Sequence, residues 1–404
     1  MIKYMAFLIG IFTLFASSCS DDVEIKDGVM PPIPPVELTK DTIRFASYNV
    51  SLFGSSEGLI ANQLQTADQF IKFKRLATVI QSVQPDVLVL MEFDFDSTGQ
   101  SIVDFNDKLL NVSQNGDEAI DYQYTYQIES NTGVISPVDL SGDGQIKLPD
   151  DAYGFGQFPG QYASAILSKY ELDINNIRSF KNFIWKDMPN AALPVNSDGS
   201  SYYSEDALNE FRLSSKNHID IPIVFSENKT VHALISHPTP PVFDGAEDRN
   251  GKRNHDEIRL WSDYINNESY LVDDKGAIGG LDASSSFIVF GDLNADPLDG
   301  DSFDGAINQL LNNSRVNQAV ANGDLIPSSN GGAEHNRNSG DMGDPKNDTS
   351  FFGLRVDYVL PSSDLEALTT GVFWPSESEE GHILVDNGAA SDHLMVWADL
   401  VIEY

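Results

Sequence analysis

A layered α/β domain is the fold class predicted for residues 42–404, and three observations carry it. Short apolar runs of strand length alternate with longer stretches of helical period. Hairpin-like pieces interrupt the strand–helix–strand order, which implies sheets and helices stacked in layers. No Pro-, Ser- or Gly-rich linker divides the stretch, so a single large domain is expected.

The elements follow in order. Ile43 to Tyr48 alternates apolar and polar residues and reads as a strand. Phe70, Phe73, Leu76, Ala77, Ile80 and Val83 recur every three or four residues, which predicts an amphipathic helix over 67–83, stopped by Pro85. Val87 to Met91 is apolar throughout, as in a strand buried on both faces. Ala163 to Leu167, Val231 to Ile235, Phe287 to Phe290, Val356 to Leu360 and Met395 to Ile402 read as further strands. Asn254 with Glu257 reads as a capping box, followed by the helical stripe Ile258, Trp261, Ile265. Residues 111–160 and 325–350 read as long polar loops, a length that usually marks function or mobility.

Residues 1–18 stand apart from the fold. Lys3 gives a positive start, Met5 to Phe15 is an apolar run too short to span a bilayer as a folded helix, and small residues lead to Cys19. That is the layout of a secretory signal. With the chain's single cysteine at the cleavage point, it resembles the lipobox of bacterial lipoproteins. The resemblance implies cleavage before Cys19 and acylation of that residue; a simple signal peptide with an incidental cysteine is the alternative. Residues 19–41 contain Pro31-Pro32 and Pro34-Pro35 and read as a semi-extended tether. The expected location is the cell envelope, at the outer membrane or cell surface, with the lipid anchor as the membrane contact. No cysteine follows Cys19, so no disulfide supports the mature domain.

Lys and Arg number 25 against 61 Asp and Glu, a net charge of −36. So acidic a surface repels a polyphosphate backbone and weighs against general nucleic-acid binding, although a local basic loop would suffice for it.

Polar residues gather where the strands should end, the place where ligands collect in open α/β sheets. Asn49 follows the first strand and Glu92 the second; His237 follows Val231–Ile235. Gly291-Asp292-Leu293-Asn294 follows Phe287–Phe290, Asp357 interrupts an apolar run, and Ser391-Asp392-His393 precedes the last strand. Each has a bland explanation alone, as a turn residue or a solvated acid. Together they place carboxylates, amides and histidines on rigid strand ends, as metal-assisted hydrolysis requires.

Ser47-Tyr48-Asn49, Gln84 to Glu92, Gly291 to Pro297, Arg355-Val356-Asp357-Tyr358-Val359 and Ser391-Asp392-His393, in this order, resemble the endonuclease/exonuclease/phosphatase superfamily with the deoxyribonuclease-I-like fold. The resemblance implies a four-layer sandwich, two central mixed β-sheets with helices outside and the active site at one end. It implies Glu92 as the principal ligand of a catalytic Mg²⁺ or Mn²⁺, with Asn49 beside it and Asp392 completing the site. Asp292 would orient or deprotonate the attacking water, and Asn294 would hydrogen-bond the phosphoryl oxygens. His393 would hold a phosphate oxygen or share base duty, with Asp357 fixing its tautomer. His237 would contact the phosphate or protonate the leaving oxygen. The identity of the general base and the number of metals stay open. Some nuclease members carry a catalytic Tyr near the position of Tyr162, which departs from that pattern enough to stay outside the expected set.

Two features go beyond that set. Arg249, Lys252, Arg253 and His255 cluster after His237, either as a phosphate clamp or as a solvated loop balanced by Glu247, Asp248 and Asp256. Asp139-Leu140-Ser141-Gly142-Asp143-Gly144-Gln145 through Asp150 matches an EF-hand loop, with Asp139, Ser141, Asp143, Gln145 and Asp150 as ligands of a structural Ca²⁺. Lys147 at position nine and the short Asp150 depart from the pattern, and an Asp-Gly-rich turn that binds nothing is the alternative.

The reading is an extracytoplasmic, metal-dependent phosphoric ester hydrolase acting on a small phosphomonoester. A secreted nuclease on DNA or RNA is the alternative, and a lipid phosphodiesterase of the sphingomyelinase kind ranks third. A non-catalytic surface binding lipoprotein is the alternative of another class, against which stands the presence of Glu92, Asp292, Asn294 and His393 together.

Overall fold

A computed structural model describes residues 42–335 and 340–403. The signal segment 1–18, Cys19 and the tether 19–41 lie outside the described residues.

The described strands are, in chain order, β1 (Thr42–Leu52), β2 (Val87–Phe93), β3 (Tyr124–Ile128), β4 (Ser164–Ser168), β5 (Glu171–Leu172), β6 (Arg178–Ser179), β7 (His218–Ser226), β8 (Lys229–Ser236), β9 (Ser286–Asp292), β10 (Asp357–Pro361), β11 (Glu366–Val372) and β12 (Val396–Val401). One six-stranded sheet runs β11-β12-β1-β2-β4-β3; the other runs β10-β9-β8-β7-β5, with β6 also paired to β7. Both are mixed. β1 and β2 are parallel in the first sheet and β8 and β9 in the second, while the other neighbours are antiparallel.

The period-2 pattern of the second sheet sorts its side chains into two layers. Val231, Ala233, Ile235, Ile288, Phe290 and Val359 join the core shared with the first sheet. Leu234, Phe287, Val289, Tyr358 and Leu360 join a second cluster with Ile258, Trp261 and Ile265 of the helix Arg249–Ile265. Phe45 of β1 marks the seam between the sheets, with its ring 6.2 Å from Phe225 and 6.3 Å from Phe290. The helix Ile71–Val83 adds Phe73, Leu76, Ala77 and Ile80 to the first cluster. The Arg44 guanidinium of β1 donates to the Val83 carbonyl at that helix's end. This is the expected four-layer α/β arrangement.

Three expectations need correction. Residues 111–160 are not all loop, because β3 lies within them and pairs with β4. The helix predicted from 67 starts at Ile71, after a short 3₁₀ turn at Ala67–Gln69. The capping box is not one: the second helix begins at Arg249, so Asn254 and Glu257 sit inside it, both with 0% exposure. No described helix is long and apolar enough to cross a membrane.

Candidate active site

Strand directions bring the polar clusters to one edge. β1 with β2, and β8 with β9, point their carboxyl ends the same way. β10 and β12 run against them, so residues at or before their starts arrive at that edge. Asp357 at the start of β10 therefore pairs in register with Asp292 at the end of β9. β8 and β9 approach closely just there: a Cβ on Gly291 would lie 1.9 Å from the Ser236 carbonyl oxygen, and Ser236 precedes His237. Only glycine fits that approach.

The groups interlock through Asp292. Its Oδ2 accepts from Asn49 Nδ2 at 3.1 Å and its Oδ1 from the Asn294 backbone N–H at 3.0 Å. His237 Nε2 lies 3.4 Å, and His393 Nε2 3.6 Å, from the same Oδ2. His393 Nδ1 is 2.9 Å from Asp357 Oδ2, which also accepts from Thr349 Oγ1 at 2.8 Å. Asn49, Asp292, Asp357, His237 and His393 are all buried. Asn294 donates its side-chain amide to the Pro238 carbonyl. Glu92, Asn294, Ser51 and Tyr162 all hold positive φ between 46° and 57°, a conformation that non-glycine residues rarely adopt and that recurs at functional sites.

Burial and charge set the protonation of these groups. Burial alone would push the His393 imidazolium down, but the Asp357 and Asp292 carboxylates outweigh it and raise His393 to about 10. His237 goes the other way. Burial, then Lys216 and His393⁺ nearby, hold it well below the ordinary range, so it is neutral. Burial pushes Asp292 up, His393 opposes it, and Asp357 adds to it. A carboxylate raised towards neutrality is a better proton acceptor.

Asn49, Glu92 and Asp392 were the expected metal ligands. Glu92 is raised, chiefly by burial, with Asp292 and Asp392 adding repulsion. No described residue donates a hydrogen bond to its carboxylate. Asp392 Oδ1 accepts from Ser51 Oγ at 2.7 Å, and Asn49 Oδ1 from the Ser51 backbone N–H at 3.0 Å. A half-buried carboxylate with no donor, facing two more carboxylates, is stabilised by a divalent cation, and the donors are the oxygens that hard cations take. Asp292, Asp357 and His393 also bring ligand atoms within 4.8 Å of one another, a group that could hold a metal ion only with the His393 ring deprotonated. The residues present fit a divalent metal.

Two lysines face the site that sequence reasoning missed. Lys216, just before β7, is held down by burial while Glu257, Glu92 and Asp292 draw it up. Lys72, on the helix Ile71–Val83, donates to the Ser51 carbonyl at 2.5 Å and feels Asp392 and Glu92. A lone lysine has no local signature, and no sequence signal marked either.

The helix Arg249–Ile265 braces three of the loops. Asn254 Nδ2 donates to the Thr239 and Leu293 carbonyls, both at 2.9 Å. Glu257 Oε1 accepts from the Ser215 N–H and hydroxyl, and its Oε2 accepts from the Thr239 N–H at 2.6 Å. The residues beside Lys216, His237 and Asp292 are thereby fixed to one helix.

The proposed phosphate clamp is not brought into the cluster. The Arg253 guanidinium is buried and donates to the Leu213, Tyr153 and Arg212 carbonyls. Arg249 pairs with Glu247, Lys252 donates to the Glu247 carbonyl, and His255 Nδ1 contacts Asp256 at 2.9 Å. Arg249, Lys252 and His255 are engaged by neighbours in sequence, and Arg253 by backbone carbonyls of other segments. Tyr162 does lie beside the site, close enough for Glu92 and Asp94 to raise its phenol after burial has done so.

In the EF-hand-like loop the structure gathers Asp139 and Asp143 with Asp151, within 4.8 Å. Asp150 turns instead to Lys147 at 3.7 Å, and Lys147 also pairs with Asp143 at 2.7 Å. Ser141 donates to Asp139, and Gln145 donates its backbone N–H to Asp143. Asp151, fully buried, accepts the Leu140 and Ser141 N–H groups.

A family model described as the endonuclease/exonuclease/phosphatase family matches residues 46–393. Among solved structures, the chain is similar to an endonuclease/exonuclease/phosphatase from Beutenbergia cavernae (14% identity, TM-score 0.48, covering 90% of this chain and 72% of that one). It is also similar to family proteins from Leptotrichia buccalis (15%, 0.45, covering 90% and 100%) and Bacteroides thetaiotaomicron (12%, 0.44, covering 90% and 95%). No curated protein matches it.

Proposed function

The chain belongs to the endonuclease/exonuclease/phosphatase family, and from that premise we propose that it is an extracytoplasmic, divalent-metal-dependent phosphoric ester hydrolase acting on a small phosphomonoester. The observation that supports it is the convergence of Asp292, Asp357 and His393 within 4.8 Å, beside a Glu92 carboxylate that lacks a protein donor.

In this reading Glu92, Asn49 and Asp392 would hold Mg²⁺ or Mn²⁺, which when bound would supply positive charge against the phosphoryl oxygens. Asp292 takes the proton of the attacking water. His393, kept protonated by Asp357, donates to a phosphoryl oxygen as charge accumulates, and Asn294 and Lys216 stand ready to do the same. His237, kept neutral, orients the phosphate and Asp292. Ca²⁺ in the Asp139–Asp151 loop would be structural.

The charge of −36 supports a compact substrate over a long nucleic acid. Lipid anchoring through Cys19 belongs to the same proposal; Cys19→Ser should move the protein from the membrane fraction to the soluble one.

The test is hydrolysis by the chain from residue 20 onward, in Mg²⁺, Mn²⁺ or Ca²⁺ and with chelator, on a sugar phosphate, a plasmid and a choline phospholipid. Metal-dependent phosphate release with intact plasmid is expected. Plasmid cleavage at matched enzyme would put the nuclease first, phospholipid cleavage the lipid phosphodiesterase, and silence on all three a binding protein.

A further inference from the structure

Aromatic side chains from loops of both sheets border the candidate site. Phe53 follows β1 and Tyr162 precedes β4, and their rings lie 4.6 Å apart. Tyr162 feels the charge of Glu92. From the second sheet's side, Phe352, in the segment leading into β10, sets its ring edge-on to the His393 imidazole at 5.3 Å. Phe53 is 41% and Phe352 45% exposed, whereas His393 is 6% exposed. Neither phenylalanine belongs to either apolar cluster. Exposed aromatic faces beside buried polar groups are the usual composition of a small-molecule subsite.

Arg249, Lys252 and Arg253 are engaged with Glu247 and with backbone carbonyls. Beside the site, Lys72 donates to the Ser51 carbonyl at 2.5 Å, the Lys216 ammonium meets the Pro238 carbonyl at 3.5 Å, and His393 Nε2 lies 3.6 Å from Asp292 Oδ2. Lys216 and His393 stand just before strands and Lys72 opens the helix Ile71–Val83, a set that suits one phosphate and leaves further phosphates without a counter-charge.

We infer that the substrate carries one phosphate and an aromatic group, the ring lodged against Phe53, Tyr162 and Phe352 while the phosphate meets Glu92, Asp292 and His393. The inference rests on the hydrolase reading above and names its substrate class. The reaction is unchanged: water adds to phosphorus, the ester P–O bond breaks, and the alcohol and inorganic phosphate leave.

The test compares benzyl phosphate, glucose 6-phosphate and hexyl phosphate, all esters of primary alcohols, with inositol hexakisphosphate as a fourth substrate, in Mg²⁺ or Mn²⁺. Benzyl phosphate should exceed glucose 6-phosphate in kcat/KM by about five- to tenfold, the range of one aromatic contact. Phe53→Ala and Phe352→Ala should reduce that ratio towards one. Should either fail to fold, Phe53→Leu and Phe352→Leu keep apolar volume and should still lose the aromatic preference. Equal kcat/KM for benzyl and hexyl phosphate overturns the aromatic assignment. Glucose 6-phosphate or inositol hexakisphosphate as the better substrate overturns the inference and leaves the hydrolase reading standing. No metal-dependent phosphate release from any of the four overturns both.

Discussion

His237 and His393 approach the same Asp292 oxygen, at 3.4 and 3.6 Å, yet they are held in opposite protonation states. The difference lies in their second nitrogens. His393 Nδ1 has Asp357, whereas His237 Nδ1 has no partner among the described residues. His393→Ala should lower kcat by about 10²–10⁴-fold, the usual contribution of a positioned acid or base, with an unchanged circular dichroism spectrum. Lys216→Met removes a cation whose charge acts on Glu92 and Asp292. It should lower kcat/KM by about ten- to a hundredfold, the worth of one charge-assisted contact, while Lys216→Arg recovers part of it in the same assay. Glu92, Asp292 and His393 were legible in the sequence because each closes or precedes an apolar run. Lys72 and Lys216 were not, because long side chains reach the site from residues whose neighbours carry no pattern.

Among the elements, the strands that carry the site were the easiest to read. Val87–Met91 and Phe287–Phe290 are continuous apolar runs, and each is a central strand. β7 was missed although Ile219, Ile221, Ile223 and Phe225 alternate as a strand should, because Pro222 within the run argues against a central strand and the other face, buried here, carries His218 and Asp220. The helix Arg249–Ile265 was misread at its start, because Arg249 to Asn254 looks like a solvated loop when its inward-facing polar residues are invisible. Those residues are the brace. Glu257→Ala would strand the Ser215 and Thr239 N–H groups and leave Lys216 and Arg253 unbalanced, so it should cost about 3–5 kcal/mol in urea denaturation. Asn254→Ala should cost about 1–3 kcal/mol and lower kcat at the same time, since it frees the loops after β8 and β9. The Asp139–Asp151 loop makes a separate case, with Lys147 on two of its acids. Ca²⁺ must displace that ammonium, so Lys147→Gln should strengthen the rise in melting temperature on adding Ca²⁺. A melting temperature indifferent to Ca²⁺ in both proteins would leave the loop as an Asp-Gly turn.

At the scale of the molecule, the buried ionisable groups make stability depend on pH. His218 is fully enclosed, with Nδ1 2.8 Å from the Ser214 hydroxyl and Nε2 2.8 Å from the Glu257 carbonyl. Nε2–H donates to the Glu257 carbonyl, and burial favours the neutral ring, whose Nδ1 can accept from the Ser214 hydroxyl. Burial pushes His218 down to about 4. The unfolded chain then binds the extra proton first as pH falls. The contribution is complete above the ordinary histidine range and drains away as pH drops from about 6.5 towards 4. Between pH 7 and pH 5 the wild type should lose about 2 kcal/mol more than His218→Gln, read from urea midpoints.

The strand order also bears on how the chain reaches its fold. The β7 to β10 portion of the second sheet pairs strands consecutive in chain order, starting from the β7–β8 hairpin, so its closures are shorter than the longest one in the first sheet. There β1 pairs with β12, Thr42 opposite Val401, a loop closure across almost the whole described chain. Such distant pairing is slow. Until β12 docks, β1 is an open edge with unpaired backbone groups, the kind that recruits other chains. Pulse-labelled hydrogen exchange should find β8 and β9 protected first and β1 last on its β12 side. Refolding yield should fall as protein concentration rises, because the strand that carries Asn49 waits longest for its partner.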